Sequence, residues 1–196
     1  MGVKLLRHET YDRKPWNNGG GMTQDIWLWP EAASQDRFDV RLSLASIESA
    51  GPFSAFPEID RTITLVGGSP FALVFDGNHE HLVEHLQPFS FDSVQTPSSR
   101  LIGGSASAFN VMTRRGRWSH MVSIVQGGEP IDIPLPGDAI AVIHVVFGNW
   151  RIAAGKAVMA DLRDSVVVEH VETIHLEAER AASAVMAILQ PARARS

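Results

Sequence analysis

Residues 38–45 read Phe-Asp-Val-Arg-Leu-Ser-Leu-Ala, and this stretch indicates the fold class of the chain. Apolar side chains recur at every second position, which is typical of a β-strand because successive side chains point to opposite faces of a sheet. The apolar face requires cover, so the strand is predicted to lie in a packed sheet or barrel. One face carries Phe38, Val40, Leu42 and Leu44, and the other carries Asp39, Arg41, Ser43 and Ala45.

Short segments of similar length follow along the chain, separated by Gly, Pro, Asp and Asn. Many short strands with turn residues between them are typical of a sandwich or barrel, so we predict an all-β protein. A loop rich in Ser, Thr, Pro and Gly at 93–107 is predicted to connect two domains, 1–107 and 108–196. The further predicted strands are 62–66, 71–75, 79–86, 89–92, 109–113, 119–125, 131–133, 139–147, 158–162, 166–171 and 173–176.

The composition of the segment 177–189 does not favour a strand, because the segment is rich in Ala, Glu, Leu and Met, which favour a helix. A barrel needs a closing strand, however, and Pro191 follows directly after the segment. We therefore predict a strand over 184–190, against local propensity.

With 44% hydrophobic and 20% charged residues, the 196-residue chain has the composition of a globular protein. Its formal net charge of −5 provides no long-range attraction for nucleic acid or anionic lipid, so neither partner is predicted. The absence of cysteine excludes disulfides and cysteine metal sites. The amino terminus lacks the apolar stretch of a signal peptide, and no apolar run approaches the ~18 residues of a membrane helix. A cytoplasmic protein is therefore predicted.

The densest group of special residues is the run Gly19-Gly20-Gly21, which lies between Trp16 and Thr23. Consecutive glycines allow positive φ angles, and their N–H groups could converge on an anion such as a carboxylate. The alternative is a glycine-rich turn that leads into a strand, with Trp16 buried in the core. The P-loop and dinucleotide-binding patterns are both absent from the sequence, so these motifs do not predict a nucleotide site.

The polar face of the strand at 38–45 offers a second candidate site. Arg41 supplies a planar guanidinium that can hold a carboxylate with two hydrogen bonds, and Ser43 supplies a hydroxyl on the same face. In a barrel this face points either into the lumen or to solvent, and the pattern leaves both open. Arg61 follows on a predicted turn, from which it could reach the barrel mouth. The alternative is that Arg61 pairs with Asp60 and only stiffens the turn.

Four motifs occur in order between residues 16 and 116. They are Trp-x-Asn-Gly-Gly-Gly-x-Thr at 16–23, Arg-x-Ser-x-Ala at 41–45, Gly-Pro-Phe-Ser-x-Phe-Pro at 51–57 followed by Asp-Arg at 60–61, and Asn-x-Met-x-Arg-Arg at 110–115. Together they closely resemble the motifs of the HutD/Ves family. Three positions depart from that pattern: Glu58 replaces a common Gly, Val40 a common aromatic residue, and Ala108 a common Asp.

The resemblance implies an all-β bicupin fold, with two cupin-like (RmlC-like jelly-roll) barrels, and a role in bacterial histidine utilisation. It further implies a protein that binds N-formylglutamate or a related acid without catalysis or a cofactor, and that limits the output of the pathway. A homodimer remains open. The candidate ligand-binding residues are Asn18, Gly19, Gly20, Thr23, Arg41, Ser43, Ser54, Phe56, Arg61 and Asn110.

A cupin enzyme acting on a small carboxylic acid is the main alternative, as a metal-dependent isomerase, hydrolase or oxygenase. His79 and His81, with Glu84 and His85, are similar to the His-x-His…Glu motif of catalytic cupins, and His144 could be the late histidine. The spacing is imperfect, and a solvated polar strand explains the segment better, so no metal is predicted. A purely structural or partner-binding domain is a third hypothesis.

Overall fold

The computed structural model describes residues 2–16 and 19–192. These residues form nineteen strands and three short 3₁₀ turns, at His8–Thr10, Asp76–Asn78 and Ser93–Gln95. The all-β prediction is confirmed. No helix in the described ranges is long and apolar enough to cross a membrane.

The strands cover most of the described chain. In chain order they are β1 (Gly2–Leu6), β2 (Asp12–Pro15), β3 (Gly21–Trp29), β4 (Val40–Ile47), β5 (Gly51–Pro52), β6 (Ile59–Gly68), β7 (Phe71–Val74), β8 (Glu80–Val83), β9 (Phe89–Asp92), β10 (Ser98–Leu101), β11 (Ala106–Arg114), β12 (Trp118–Gln126), β13 (Ile131–Pro134), β14 (Ile140–Phe147), β15 (Trp150–Ala154), β16 (Lys156–Ala160), β17 (Ser165–Glu169), β18 (Thr173–Ala178) and β19 (Ser183–Pro191).

The chain divides into two compact units, which we name the motif unit (residues 12–118) and the terminal unit (residues 1–11 with 119–196). The motif unit contains a six-stranded sheet in the order β2-β3-β4-β11-β6-β9 and a four-stranded sheet in the order β5-β10-β7-β8. One apolar cluster takes Ile63 and Leu65 from the first sheet and Phe71 and Leu73 from the second, so the two sheets share a core.

The terminal unit repeats this plan with a five-stranded sheet, β1-β17-β14-β19-β12, and a four-stranded sheet, β13-β18-β15-β16. Its core combines Ile143 and Val166 of the first sheet with Trp150 and Ile174 of the second. In each unit, therefore, alternating apolar side chains are buried where two antiparallel sheets face each other.

The strand predicted against helix propensity is confirmed as β19, which pairs with β14 along most of its length. Its alternate residues Ala184 and Met186 enter the core of the terminal unit. Tertiary pairing and burial therefore override the local preference for a helix.

The division between the units differs from the predicted one at residues 107 and 108. That position lies inside β11, which pairs with β4 on one side and β6 on the other and therefore stays in one sheet. The predicted connecting loop at 93–107 also contains β10. At the other end of the chain, β1 belongs to the terminal unit because it pairs with β17.

Gly21 opens β3 in a place that has no room for a side chain. A Cβ atom there would lie 2.0 Å from the backbone oxygen of Ser46 on the neighbouring strand β4, and 3.2 Å from the Trp16 ring. The last glycine of the run is therefore required by close packing of two strands.

His144 of β14 is fully buried in the terminal unit. Its Nδ1 lies 3.0 Å from Ser165 Oγ, and the Tyr11 hydroxyl lies 2.9 Å from the same oxygen and donates to Arg163 O at 2.8 Å. Burial, with the nearby positive charge of Arg163, lowers the pKa of His144 to about 3. The imidazole is therefore neutral in the native state.

We expect Gly21→Ala to lower the free energy of unfolding by about 2–3 kcal/mol, because the added methyl group must displace backbone. Gly67→Ala is the matched control, since its Cβ would meet only Ser107 Cβ at 3.7 Å. Chemical denaturation of both variants measures the difference. Equal stability of the two variants would contradict the packing argument.

We expect acid to destabilise the protein through His144. Its pKa in the unfolded chain is near 6.5, so below that pH the unfolded state takes a proton that the native state resists. This one residue should remove about 2 kcal/mol of stability between pH 7 and pH 5. His144→Asn should flatten the pH dependence of the unfolding free energy, and the exposed His170→Asn is the control. An unchanged slope in His144→Asn would reject the assignment.

Candidate functional site

A cavity of about 540 Å³ lies in the motif unit, which is an ordinary size for a small-molecule site. Its walls come from β3, β4, β6 and β11, from the loop after β3, and from the segment 52–56. The lining residues are Lys14, Pro15, Trp16, Thr23, Gln35, Asp36, Arg41, Ser43, Ala45, Pro52, Phe53, Ser54, Ala55, Phe56, Arg61, Asn110 and Met112.

Strand β11 places the two predicted arginines in the same row of the sheet. Met112 pairs with Arg41 of β4 on one side and with Arg61 of β6 on the other. The next inward position of β11, Asn110, pairs with Ser43. Arg41 and Ser43 are buried, so the polar face of this strand lines a cavity and does not face open solvent.

Arg61 is a buried cation, only 6% exposed. Its Nε and Nη2 donate to Asn110 Oδ1 at 3.0 and 2.6 Å, and its guanidinium lies 4.5 Å from the Phe53 ring centroid and 5.6 Å from that of Phe91. Burial and the neighbouring charge of Arg41 lower the pKa of Arg61 to about 9, which leaves it protonated at neutral pH.

Arg61 has no carboxylate partner within ion-pair distance among residues 2–16 and 19–192. Asp60, the partner considered from the sequence, instead bonds Arg115, with 2.6 Å between Asp60 Oδ1 and Arg115 Nη2. A buried charge without a counter-ion is costly, so Arg61 is the feature of this cavity that packing alone does not account for.

Arg41, in contrast, has a buried carboxylate partner. Its Nε donates to Asp25 Oδ1 at 2.8 Å, and Asp25 Oδ2 accepts from Gln35 Nε2 at 2.6 Å and lies 3.6 Å from Lys14 Nζ. Sequence reasoning did not select Asp25, Gln35 or Lys14. The alternation of β3 held a signal for Asp25, because it lies two residues after Thr23 and so on the same face.

Two phenylalanines of the segment 52–56 lie against the arginines. Phe53 stacks on Arg61, and the Phe56 ring lies 5.9 Å from the Arg41 guanidinium. Ser54 lies between them in the chain and also lines the cavity. This segment therefore closes the cavity over both cations with apolar rings.

Gly19 and Gly20, which were predicted to bind ligand, are not among the residues that line the cavity. The Gly19 N–H donates to Trp16 O at 3.0 Å, and Gly20 O accepts from the N–H groups of Glu48 and Ser49 at 2.9 and 3.2 Å. These contacts hold Gly19 to Trp16 and Gly20 to the segment after β4. Asn18, a further candidate, lies outside the described residues.

Trp16 is half-buried, whereas the sequence suggested a buried core residue. Its ring packs against the core of the motif unit and also lines the cavity, and its Nε1 donates to Thr23 Oγ1 at 2.8 Å. Trp16 therefore contacts both the core of the motif unit and the cavity.

The histidines considered as metal ligands lie outside this cavity. His81 stacks on Phe89, with ring centroids 3.5 Å apart, and burial lowers the pKa of His81. His79 is exposed and lies near Phe75. No group of three or more His, Asp or Glu side chains suited to a metal ion occurs in the described part of the chain. That the protein takes up no metal stays a prediction.

The chain matches the family model described as HutD over residues 8–186, and it belongs to that family. Protein Ves of Cronobacter sakazakii is 33% identical over 138 residues, which cover 70% of this chain and 72% of that protein. A 21.2 kDa protein in the hutC 3′ region of Pseudomonas putida is 36% identical over 110 residues, which cover 56% of this chain and 57% of that protein.

Solved structures agree with the fold. HutD from Pseudomonas fluorescens SBW25 is 26% identical, with a TM-score of 0.81 over 96% of this chain and 98% of that one. YhhW, a bacterial pirin from Escherichia coli, is 10% identical, with a TM-score of 0.69 over 99% of this chain and 100% of that one, and it shows the fold alone. The cupin-type fold is confirmed, and the two units are consistent with the expected pair of barrels.

We expect Trp16→Phe to lower the free energy of unfolding by about 1 kcal/mol, because an aromatic ring remains at this position and the hydrogen bond to Thr23 is lost. Trp16→Ala should lower it by about 2–3 kcal/mol, less than a fully buried tryptophan, because part of the ring faces the cavity. Denaturant titration measures both changes. If Trp16→Ala were as stable as the parent, Trp16 would not contribute to the core.

Proposed function

We propose that the motif unit binds a small carboxylic acid, N-formylglutamate or a close relative, without catalysis, and that its occupancy regulates histidine utilisation. The observation that carries the proposal is Arg61, a buried guanidinium with no carboxylate partner among the described residues. A ligand carboxylate would supply the missing counter-ion and accept two hydrogen bonds from the planar group.

The hydrogen-bonding groups around Arg61 support an acceptor-rich ligand. Arg41 uses only Nε in the hydrogen bonds made among described residues, which leaves its two terminal nitrogens available to a ligand. The Thr23 hydroxyl already accepts from Trp16, so its proton is available for donation, and Ser43 adds a second hydroxyl. These groups can all donate a hydrogen bond, as a carboxylate or carbonyl ligand requires.

Binding without catalysis fits the ionisation of two cations in the wall, Arg61 and Lys14. Arg61 stays protonated at neutral pH, and Lys14 has a pKa raised mainly by its hydrogen bond to Asp12. Neither group is poised to exchange a proton near neutrality, as a general acid or base must. Arg61 and Lys14 therefore keep their positive charge near neutral pH.

The link to histidine utilisation draws on the relatives. The Pseudomonas putida protein belongs by its description to the hutC 3′ region, and the Pseudomonas fluorescens structure is a HutD. N-formylglutamate, the ligand that the family resemblance implies, carries carboxylates and a formyl oxygen that match the donors of the cavity.

We expect Arg61→Lys to weaken the binding of N-formylglutamate about tenfold or more, because the ammonium keeps the charge and loses the planar pair of donors. Arg61→Met should abolish binding and lower the free energy of unfolding of the free protein by no more than about 1 kcal/mol, since it removes an uncompensated buried charge. Calorimetric titration and unliganded denaturation measure the two effects.

Arg151→Lys is the matched control, because Arg151 is half-exposed and pairs with Glu177 in the terminal unit. It should bind like the parent. A purely structural Arg61 would give the opposite pattern, with unchanged affinity in Arg61→Lys and a loss of several kcal/mol in Arg61→Met. That result would show that Arg61 does not belong to the site, and it would reject the proposed function.

A further inference from the structure

We infer that Asp25 determines which charge state of a ligand the cavity accepts. The Arg61 end of the cavity takes a carboxylate, and the Arg41 end takes a neutral carbonyl or amide oxygen. This inference rests on the proposed function and adds a class of ligand to it. The ligand is an acid whose second polar group, a few bonds away, is uncharged where it enters the cavity.

The two guanidiniums have the same burial and different compensation. Arg41 and Arg61 are each 6% exposed, and each lies near a phenylalanine of the segment 52–56. Arg41 bonds the buried carboxylate of Asp25 at 2.8 Å, whereas Arg61 bonds the neutral amide of Asn110. Only the Arg61 end therefore lacks a negative charge among the described residues.

The basic side chains at the Arg41 end have acidic partners. Lys14 Nζ lies 2.8 Å from Asp12 Oδ2 and 3.6 Å from Asp25 Oδ2. Lys14 and Arg41 together balance Asp12 and Asp25. A second carboxylate would place a negative charge beside the buried carboxylate of Asp25, where like charges repel more strongly than in water.

The Arg41 end still binds a polar group. The terminal nitrogens of Arg41 and the hydroxyl of Ser43 are donors that a neutral oxygen can accept without adding charge. Arg41 and Arg61 both pair with Met112, so their Cα atoms are two strand spacings apart, roughly 10 Å. Both arginines line one cavity of small-molecule size, as a ligand that carries a carboxylate and an amide or formyl oxygen requires.

The test compares glutarate with glutaramate, its monoamide, by calorimetric titration of the full chain. The two probes have the same length and differ in one charge. We expect the parent to bind glutaramate at least as tightly as glutarate, and Asp25→Asn to shift the ratio of affinities fivefold or more toward glutarate. Asp39→Asn is the matched control, because Asp39 pairs with Arg114 and Arg117 outside the cavity and should leave the ratio unchanged.

A shift in Asp25→Asn of less than fivefold, or in the opposite direction, overturns the inference. Asp25→Asn leaves Arg41 unpaired and could fail to fold, so the parent alone provides a second measurement. A parent that prefers glutarate by tenfold overturns the inference without any variant, as does a parent that binds neither probe. The titrations of Arg61 with N-formylglutamate decide the proposed function separately, since they do not depend on the charge at the Arg41 end.

Discussion

Strand β11 hydrogen-bonds to β4 on one side and to β6 on the other, and the candidate site depends on this pairing. Register within a sheet determines which side chains share a face, and a slip of one residue would turn every one of them away. Because Met112 lies opposite both Arg41 and Arg61, two cations separated by 20 positions in the chain belong to one wall. The same register sets Asn110 where its amide oxygen can accept from Arg61.

More of the fold than of the site could be predicted from the sequence. Alternation at 38–45 predicted a strand with two unlike faces, and both the strand and its inward polar face are present. The closing strand β19 was predictable only from the needs of a barrel, because its composition favours a helix. The boundary between the units was missed because it depends on hydrogen-bond partners far away in the chain: β1 joins β17, and β11 stays with β4 and β6.

Arg41, Ser43, Arg61 and Asn110 were identified through motifs, and the cavity brings them together. Asp25 was not, although it lies close to the same motifs, because a carboxylate on a strand gives no sign of its partner until the neighbouring strand is in register. For the glycine run, in contrast, the sequence suggested an anion site. Gly19 and Gly20 bond other backbone groups, and Gly21 is required by a backbone oxygen on β4, a steric demand that no sequence pattern separates from anion binding.

The cavity is also where the chain departs from the rules that favour stability. Arg61 is buried there without a carboxylate partner in the described chain. The rest of the motif unit buries apolar side chains between two sheets in the ordinary way. Departures from such rules concentrate at functional sites, where stability is given up for binding. Under the proposed function, the bound acid would supply the counter-ion that Arg61 lacks, and the cost of burying this cation in the free protein would then favour binding.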